Sequence, residues 1–160
     1  MSEARKTETT DRKEPLSKAR LRLWLKLLKA SNLIEASLRQ KLRAEFGSTL
    51  PRFDVMSALY RSPEGLKMSQ ISQMLRVSNG NITGIVDKLT EEGLALRVAV
   101  PGDRRAHRVR LTDKGHEVFA THAAAHEGWI DAMLAGLDSD DVDGMVRRLD
   151  HLSDTMKEHD

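Results

Sequence analysis

The 160-residue chain has no cysteine, which excludes a disulfide framework, a cysteine-ligated zinc site and a thiol redox sensor. It also lacks any run of 18 apolar residues, so no segment reads as a membrane span. The opening MSEARKTETTDRKEP has none of the apolar centre of a secretory signal, and a cytoplasmic location is expected. A nucleophile elbow, a phosphate-binding glycine loop and a paired-carboxylate arrangement are missing too, so neither an enzyme nor a cofactor is expected. There is no internal repeat and no low-complexity segment. What is present, with 39% hydrophobic residues, suffices for one domain with a core, or one domain with a helical extension.

Net charge is only +2 and points to no polyanion by itself. Its distribution is lopsided. Lys and Arg outnumber Asp and Glu by 13 to 6 over residues 1–52 and by 7 to 4 over residues 76–110, whereas residues 127–160 carry 3 against 10. Two basic regions and an acidic tail fit a molecule with one face against a polyanion and another turned away. Solvated helix faces are the plainer account of the N-terminal charges.

Residues 1–15 contain no periodic apolar residue and read as a disordered tail. Leu21, Trp24, Leu25, Leu28, Leu38 and Leu42 then recur at helical intervals until Gly47. Leu23 and Leu27 lie off that stripe, and the added width suits two partners, a core and a second subunit. Pro51 fits a first helical turn, with Phe53, Met56, Leu59 and Tyr60 continuing the period until Pro63 and Gly65. A short helix with Ile71, Met74 and Leu75 inward is expected next, followed by a break at Arg76-Val77-Ser78.

The segment SNGNITGIVDKL is unusual, because a glycine inside a helix costs about 1 kcal/mol relative to alanine and here there are two. Placing Ile82, Ile85, Val86 and Leu89 inward turns Gly80, Gly84 and Asp87 outward, with Asn81, Thr83 and Lys88 on the flanks. Bare glycines on an exposed face let a helix backbone approach a groove floor, while Asn79, Asn81 and Thr83 hydrogen-bond base edges or phosphates. Asn79-Gly80 could instead mark a hairpin turn. Its flanks do not alternate, however, and the helical period persists for two turns downstream.

At LALRVAVPGDRRAHRVRLT the period becomes two. Leu96, Val98 and Val100 alternate with Arg97 and Ala99, Pro101-Gly102-Asp103 forms a turn, and Val109 and Leu111 alternate with Arg108 and Arg110. The expectation is a hairpin with one apolar face and one face of Arg97, Arg108 and Arg110, tipped by Arg104 and Arg105. Like charges opposite one another repel, and a phosphate backbone would relieve them; a solvated basic hairpin is the alternative. Thr112 can then cap a long helix through Val118, Phe119, Trp129, Ile130, Met133 and Leu137. Ser139 opens a last helix, with Asp140 and Asp141 favoured by its dipole. In it, Val142, Met145, Val146, Leu149, Leu152 and Met156 form a seam suited to helix association.

Helix, tight turn, helix and hairpin make a winged helix-turn-helix, in which the second helix enters the major groove and the hairpin reaches flanking DNA. The expected fold is mainly α with a small β-hairpin wing. Residues 49–112 would form the DNA-binding lobe, and residues 16–48 and 113–160 a helical dimerisation region. The DNA-facing candidates are Ser69, Arg76, Ser78, Asn79, Gly80, Asn81, Thr83, Gly84, Lys88, Arg97, Arg104, Arg105, Arg108 and Arg110. His122 and His126, four apart with Glu127 adjacent, raise a metal sensor as an alternative, but the set is incomplete, His116 points elsewhere, and surface histidines with no metal are expected. A protein-binding winged helix would more often present an apolar recognition face, whereas this one is Gly, Asn, Thr and Lys.

The segments SQISQMLRVSNGNITGIVDKLTEEGL and PGDRRAHRVRLTDKG resemble the MarR family of transcriptional regulators, and the likeness covers roughly residues 20–158. The family's Asp-x-Arg wing element matches Asp103 and Arg105, and its strand-to-helix junction matches Leu111-Thr112-Asp113-Lys114-Gly115. The resemblance implies a homodimer built by the first and last helices, binding palindromic double-stranded DNA and usually repressing transcription. It also implies an anionic aromatic effector that lowers DNA affinity, and a minor-groove contact by Arg104 or Arg105. RFDVMSALYRSPEGLKMSQISQMLRVSNGNITGIVDKL further resembles a subgroup linked to aromatic-acid degradation, some members of which sense a coenzyme A thioester. A pocket for such a ligand would draw on Trp24, Leu28, Asn32, Arg52, Phe53 and Met56; ordinary core is the other reading of Trp24, Phe53 and Met56.

Overall fold

A computed structural model of the chain describes residues 14–75 and 79–159 and, of Asn79 and Gly80, only the helical backbone. The expected disordered tail, up to residue 13, and the Arg76-Val77-Ser78 break lie outside the described residues. In chain order the elements are α1 (Leu16–Phe46), α2 (Leu50–Tyr60), β1 (Leu66–Lys67), α3 (Met68–Leu75), α4 (Asn79–Glu91), β2 (Ala95–Val100), β3 (Asp103–Leu111), α5 (Asp113–Met133) and α6 (Ser139–Lys157). The fold is therefore mainly α with a small sheet.

Contacts divide the chain into two units, one ending at Ala36 and the other starting at Ser37. The first consists of the early turns of α1, where Leu16, Leu21, Leu23, Trp24, Leu25, Leu28 and Leu33 are all exposed. In the second, Leu42, Phe53, Val55, Met56, Leu59, Ile71, Ile82, Val86, Leu89, Val109, Leu111 and Phe119 form one buried cluster.

Local chemistry explains most boundaries. Thr49 caps α2 by accepting the Arg52 amide at 3.3 Å, with Pro51 in the first turn. Thr112 caps α5, accepting the Gly115 amide at 3.0 Å while donating to the Gly93 carbonyl at 2.7 Å. That clasp brings α5 so close to the end of α4 that a Cβ on Gly115 would lie 2.0 Å from the Leu94 carbonyl oxygen. Ser139 opens α6 as expected, but its cap is Asp138, which exchanges hydrogen bonds of 2.8 and 3.2 Å with Asp141 in a capping box.

Several expectations need correction. Met74 is exposed, because Ile71 and Leu75, four apart, carry the narrow inward stripe of an eight-residue helix. Tyr60 is exposed too, although its ring packs against Phe119 and His116 at 4.9 and 5.4 Å. α5 ends at Met133 with Leu134 as cap, which leaves Leu137 in the following turn. The two-residue β1 was not expected; it pairs with β3 through Leu66↔Val109 and Lys67↔Arg108 and makes a three-stranded antiparallel sheet in the order β1-β3-β2.

The hairpin register also departs from the expected faces. Cross-strand pairs run Ala95↔Leu111, Leu96↔Arg110, Arg97↔Val109 and Val98↔Arg108. Residues directly opposite share a face, so Arg108 and Arg110 lie with Val98 and Leu96, and Arg97 lies on the other side. The apolar and arginine residues of the two strands are thus mixed. The buried face consists of Ala95, Val109 and Leu111, and alternation within each strand could not reveal this because a one-residue slip inverts every side chain.

Candidate nucleic-acid interface

The α4 backbone is oriented by Ile82, Val86 and Leu89, each fully buried, with Ile85 packed against the same cluster. A 3.6-residue repeat then puts Asn81, Thr83, Gly84, Asp87 and Lys88 on the exposed surface, where the structure has them. A Cβ on Gly84 would meet nothing within 4 Å. The helix therefore offers a bare, polar ridge. Ser69, on α3, is exposed as well; Arg76 and Ser78 lie outside the described residues, as do the side chains of Asn79 and Gly80.

The wing is shaped by its turn. Pro101 followed by Gly102 at φ +84° suits a type II turn, whose third position favours glycine. Val100 pairs with Asp103 and Ala99 with His107, so Arg104, Arg105 and Ala106 form a bulge without cross-strand partners. Asp103 accepts the Arg105 amide at 3.1 Å, bending the backbone at the tip. Arg104 and Arg105 are exposed there, and among the described residues neither guanidinium has an ion-pair partner.

The other basic candidates divide. Arg97 reaches back to α4, its guanidinium 2.6 Å from the Asp87 carboxylate. Arg108 is half-buried and its Nε has no hydrogen-bond partner among the described residues, while Arg110 is exposed. Sequence reasoning missed the Asp87–Arg97 pair, although the one acid on the outward ridge of α4, ten residues before an arginine, was a usable signal.

A MarR family model matches residues 46–106, from the end of α1 to the wing. The HTH-type transcriptional regulator YkoM of Bacillus subtilis, described as uncharacterized, is 34% identical over 113 residues, which cover 70% of this chain and 71% of that one. The HTH-type transcriptional regulator MhqR of the same organism is 30% identical over 127 residues, covering 77% and 83%. The chain belongs to the MarR family. The crystal structure of a MarR family transcriptional regulator from Silicibacter pomeroyi superimposes with a TM-score of 0.74 at 29% identity, over 90% of this chain and 99% of that one. As a MarR protein the chain is a DNA-binding transcriptional regulator and not an enzyme.

The expected ligand residues of this MarR protein do not share one environment. Phe53 and Met56 are buried in the core, where Phe53 packs against Phe119 and stacks on His126 at 5.4 and 4.6 Å. Trp24, Leu28 and Asn32 belong to the other unit, where all three are exposed. Arg52 is half-buried and bound to Glu92, and this hydrogen bond holds the Glu92 carboxyl below its ordinary range.

His122 and His126 are half-buried rather than surface residues. His122 stacks on Phe46 at 4.1 Å, and His126 stacks on Phe53. Burial, and secondarily the charge of Arg52, push the His122 imidazole below its ordinary value. Among the described residues no group of three or more His, Cys, Asp or Glu side chains could hold a metal ion, and none of the described helices is long and apolar enough to cross a membrane.

Proposed function

We propose that this MarR protein is a ligand-responsive repressor that binds a palindromic operator as a homodimer and is released by a small anionic effector, an aromatic carboxylate or its coenzyme A thioester. The observation that carries the reading is the pairing of an open, polar α4 ridge at Gly84 with two exposed arginines at the wing tip. A helix presents base-reading groups in the major groove while a cationic tip supplies sequence-independent phosphate or minor-groove attraction. Asn81, Thr83 and Lys88 would read or clamp from α4, joined by Asn79, Gly80, Ser69, Arg76 and Ser78 around its start, and Arg104, Arg105 and Arg110 would grip from the wing.

Dimerisation would use residues 16–48 and 113–160, leaving residues 49–112 as the DNA-binding lobe. Exposed Val142, Met145, Val146, Leu149, Leu152 and Met156 on acidic α6, and the exposed leucines and Trp24 on basic α1, support this division. Exposed apolar side chains recurring along a helix, as on each of these two, mark an interface. Opposite charge on the two helices favours one protomer's α1 meeting its partner's α6. The test is a titration of the chain onto a duplex selected from a random library, with aromatic acids and acyl thioesters added in turn. One dimer per two-fold-symmetric site, displaced by a member of that set, is expected; asymmetric sites, or no displacement by any of them, would reject the reading.

A further inference from the structure

A cavity of about 530 Å³ opens where the end of α2, the turn into β1, α3 and β3 meet, and Arg61, Glu64, Gln70 and Arg108 supply its charged and amide groups. That volume falls within the roughly 300–1,000 Å³ of small-ligand sites. A close approach fixes its wall. Gly65, at φ +93°, donates its amide to the Ser62 carbonyl at 2.8 Å, and a Cβ on it would lie 2.9 Å from the Val109 carbonyl oxygen and 3.1 Å from the Arg108 Cβ. Glycine lets the turn press on β3 this closely.

The donors around the cavity are underused. The Arg108 Nε is buried and has no hydrogen-bond partner among the described residues, a state that folded proteins seldom leave unmatched. Gln70 accepts the Lys67 amide at 2.9 Å through its Oε1, which leaves its NH2 group to donate. Charge accumulates as well. Lys67 stands directly opposite Arg108 in the β1–β3 pair, so the two share a face of the sheet, and Arg61 lines the same cavity as Arg108. Among the described residues none of these three cations has an ion-pair partner. Glu64 is the one acid of the lining, so the cations outnumber it by two.

We propose that this cavity binds the phosphate monoester of a small polyol, its phosphate held by Arg61, Arg108 and the Gln70 amide and its hydroxyls donating to Glu64. A phosphate monoester carries nearly two negative charges at neutral pH and offers three acceptor oxygens, and the guanidinium fork matches phosphate oxygens in pairs. Glu64 then sets the class of ligand, because a carboxylate repels a bare phosphate but accepts from hydroxyls. Apart from Pro63 and Leu66 the lining is polar, which suits a sugar-like body better than an aromatic one. The site shares no residue with the α4 ridge or with a pocket built on Trp24, Arg52 and Phe53, and it gives Arg108 a ligand in place of DNA.

The test uses the full chain without DNA, isotope-labelled for amide NMR, with glycerol 3-phosphate as probe and inorganic phosphate and glycerol as comparators. Glycerol 3-phosphate should shift the amides of Glu64, Gly65, Gln70 and Arg108 saturably, with inorganic phosphate at least tenfold weaker and glycerol without effect. Arg108→Ala should weaken the probe at least tenfold, and Glu64→Ala should bring the probe and inorganic phosphate within threefold of each other. Shifts centred on the wing tip, or an unchanged probe affinity in Arg108→Ala, would overturn the site; equal binding of inorganic phosphate by the wild type would overturn the ligand class. The wild-type shift map decides even if a variant folds poorly. In a separate DNA titration Arg108→Ala should keep the wild-type slope of log affinity against log salt. A slope shallower by about one unit would place this guanidinium on a DNA phosphate and overturn its assignment to the cavity.

Discussion

The Arg97 guanidinium lies 2.6 Å from the Asp87 carboxylate and joins the first wing strand to the outward ridge of α4. Both side chains are about half exposed, so the pair contributes at most about 1 kcal/mol to stability. Its larger effect is to fix the angle between helix and wing and to neutralise one arginine. Asp87→Ala should leave the melting temperature almost unchanged and raise affinity for unrelated DNA, because a freed Arg97 adds a phosphate contact. The ratio of selected-site to unrelated-duplex affinity should fall several-fold, as measured by fluorescence anisotropy at fixed salt. An unchanged ratio would mean that the pair orients nothing.

Gly84 faces open space, so a side chain there meets no protein atom. Gly84→Ala should stabilise the fold by about 0.5–1 kcal/mol through helix propensity. Gly84→Leu should keep its helical circular dichroism yet lose at least tenfold in DNA affinity, since in the proposed docking the added bulk would stand where the groove floor comes. Normal DNA binding by Gly84→Leu would remove this face of α4 from the interface.

Gly115 is the contrasting glycine. The α5 start passes so near the Leu94 carbonyl that even a methyl group would force the Thr112 clasp apart. Gly115→Ala should destabilise by about 1–3 kcal/mol, the usual range for overpacking, in a urea titration with an unchanged slope. Wild-type stability would show that the junction yields freely.

Much of this was legible in the sequence. The apolar spacing of Ile82, Val86 and Leu89 fixes which side of α4 faces water, and Thr112 announces its own cap because a helix start needs an acceptor. Alternation within β2 and β3 shows that strands form but not how they align, and by spacing alone Arg97 falls on the face of Arg108 and Arg110. The three-residue bulge at Arg104 decides that register, and it depends on turn geometry rather than on hydrophobic pattern. The Arg52–Glu92 pair and the two histidine–phenylalanine stacks join residues 40 or more positions apart, or bring helices together at angles that no local repeat encodes.

His122, stacked on Phe46, is held below its ordinary value of 6.5 by burial first and by Arg52 second. Between that lowered value and 6.5 the unfolded chain binds more protons than the native one. This contribution to stability is therefore complete above about pH 6.5 and is lost as pH falls through the native value. His122→Phe keeps the ring stack and removes the proton site. The drop in melting temperature from pH 7.5 to pH 5.5 should be smaller in the variant than in the wild type, and an equal drop would show that His122 does not sense acid.

The direct test of the central claim is the salt dependence of DNA binding in the wild type and in Arg104→Ala/Arg105→Ala. Each phosphate neutralised by a wing-tip arginine contributes nearly one unit to the slope of log affinity against log salt. If both arginines grip DNA, the double variant should lose at least tenfold in affinity with a slope shallower by about one to two units, while its oligomeric state and helicity stay the same. Identical slopes and affinities for the two proteins would contradict a wing that holds DNA.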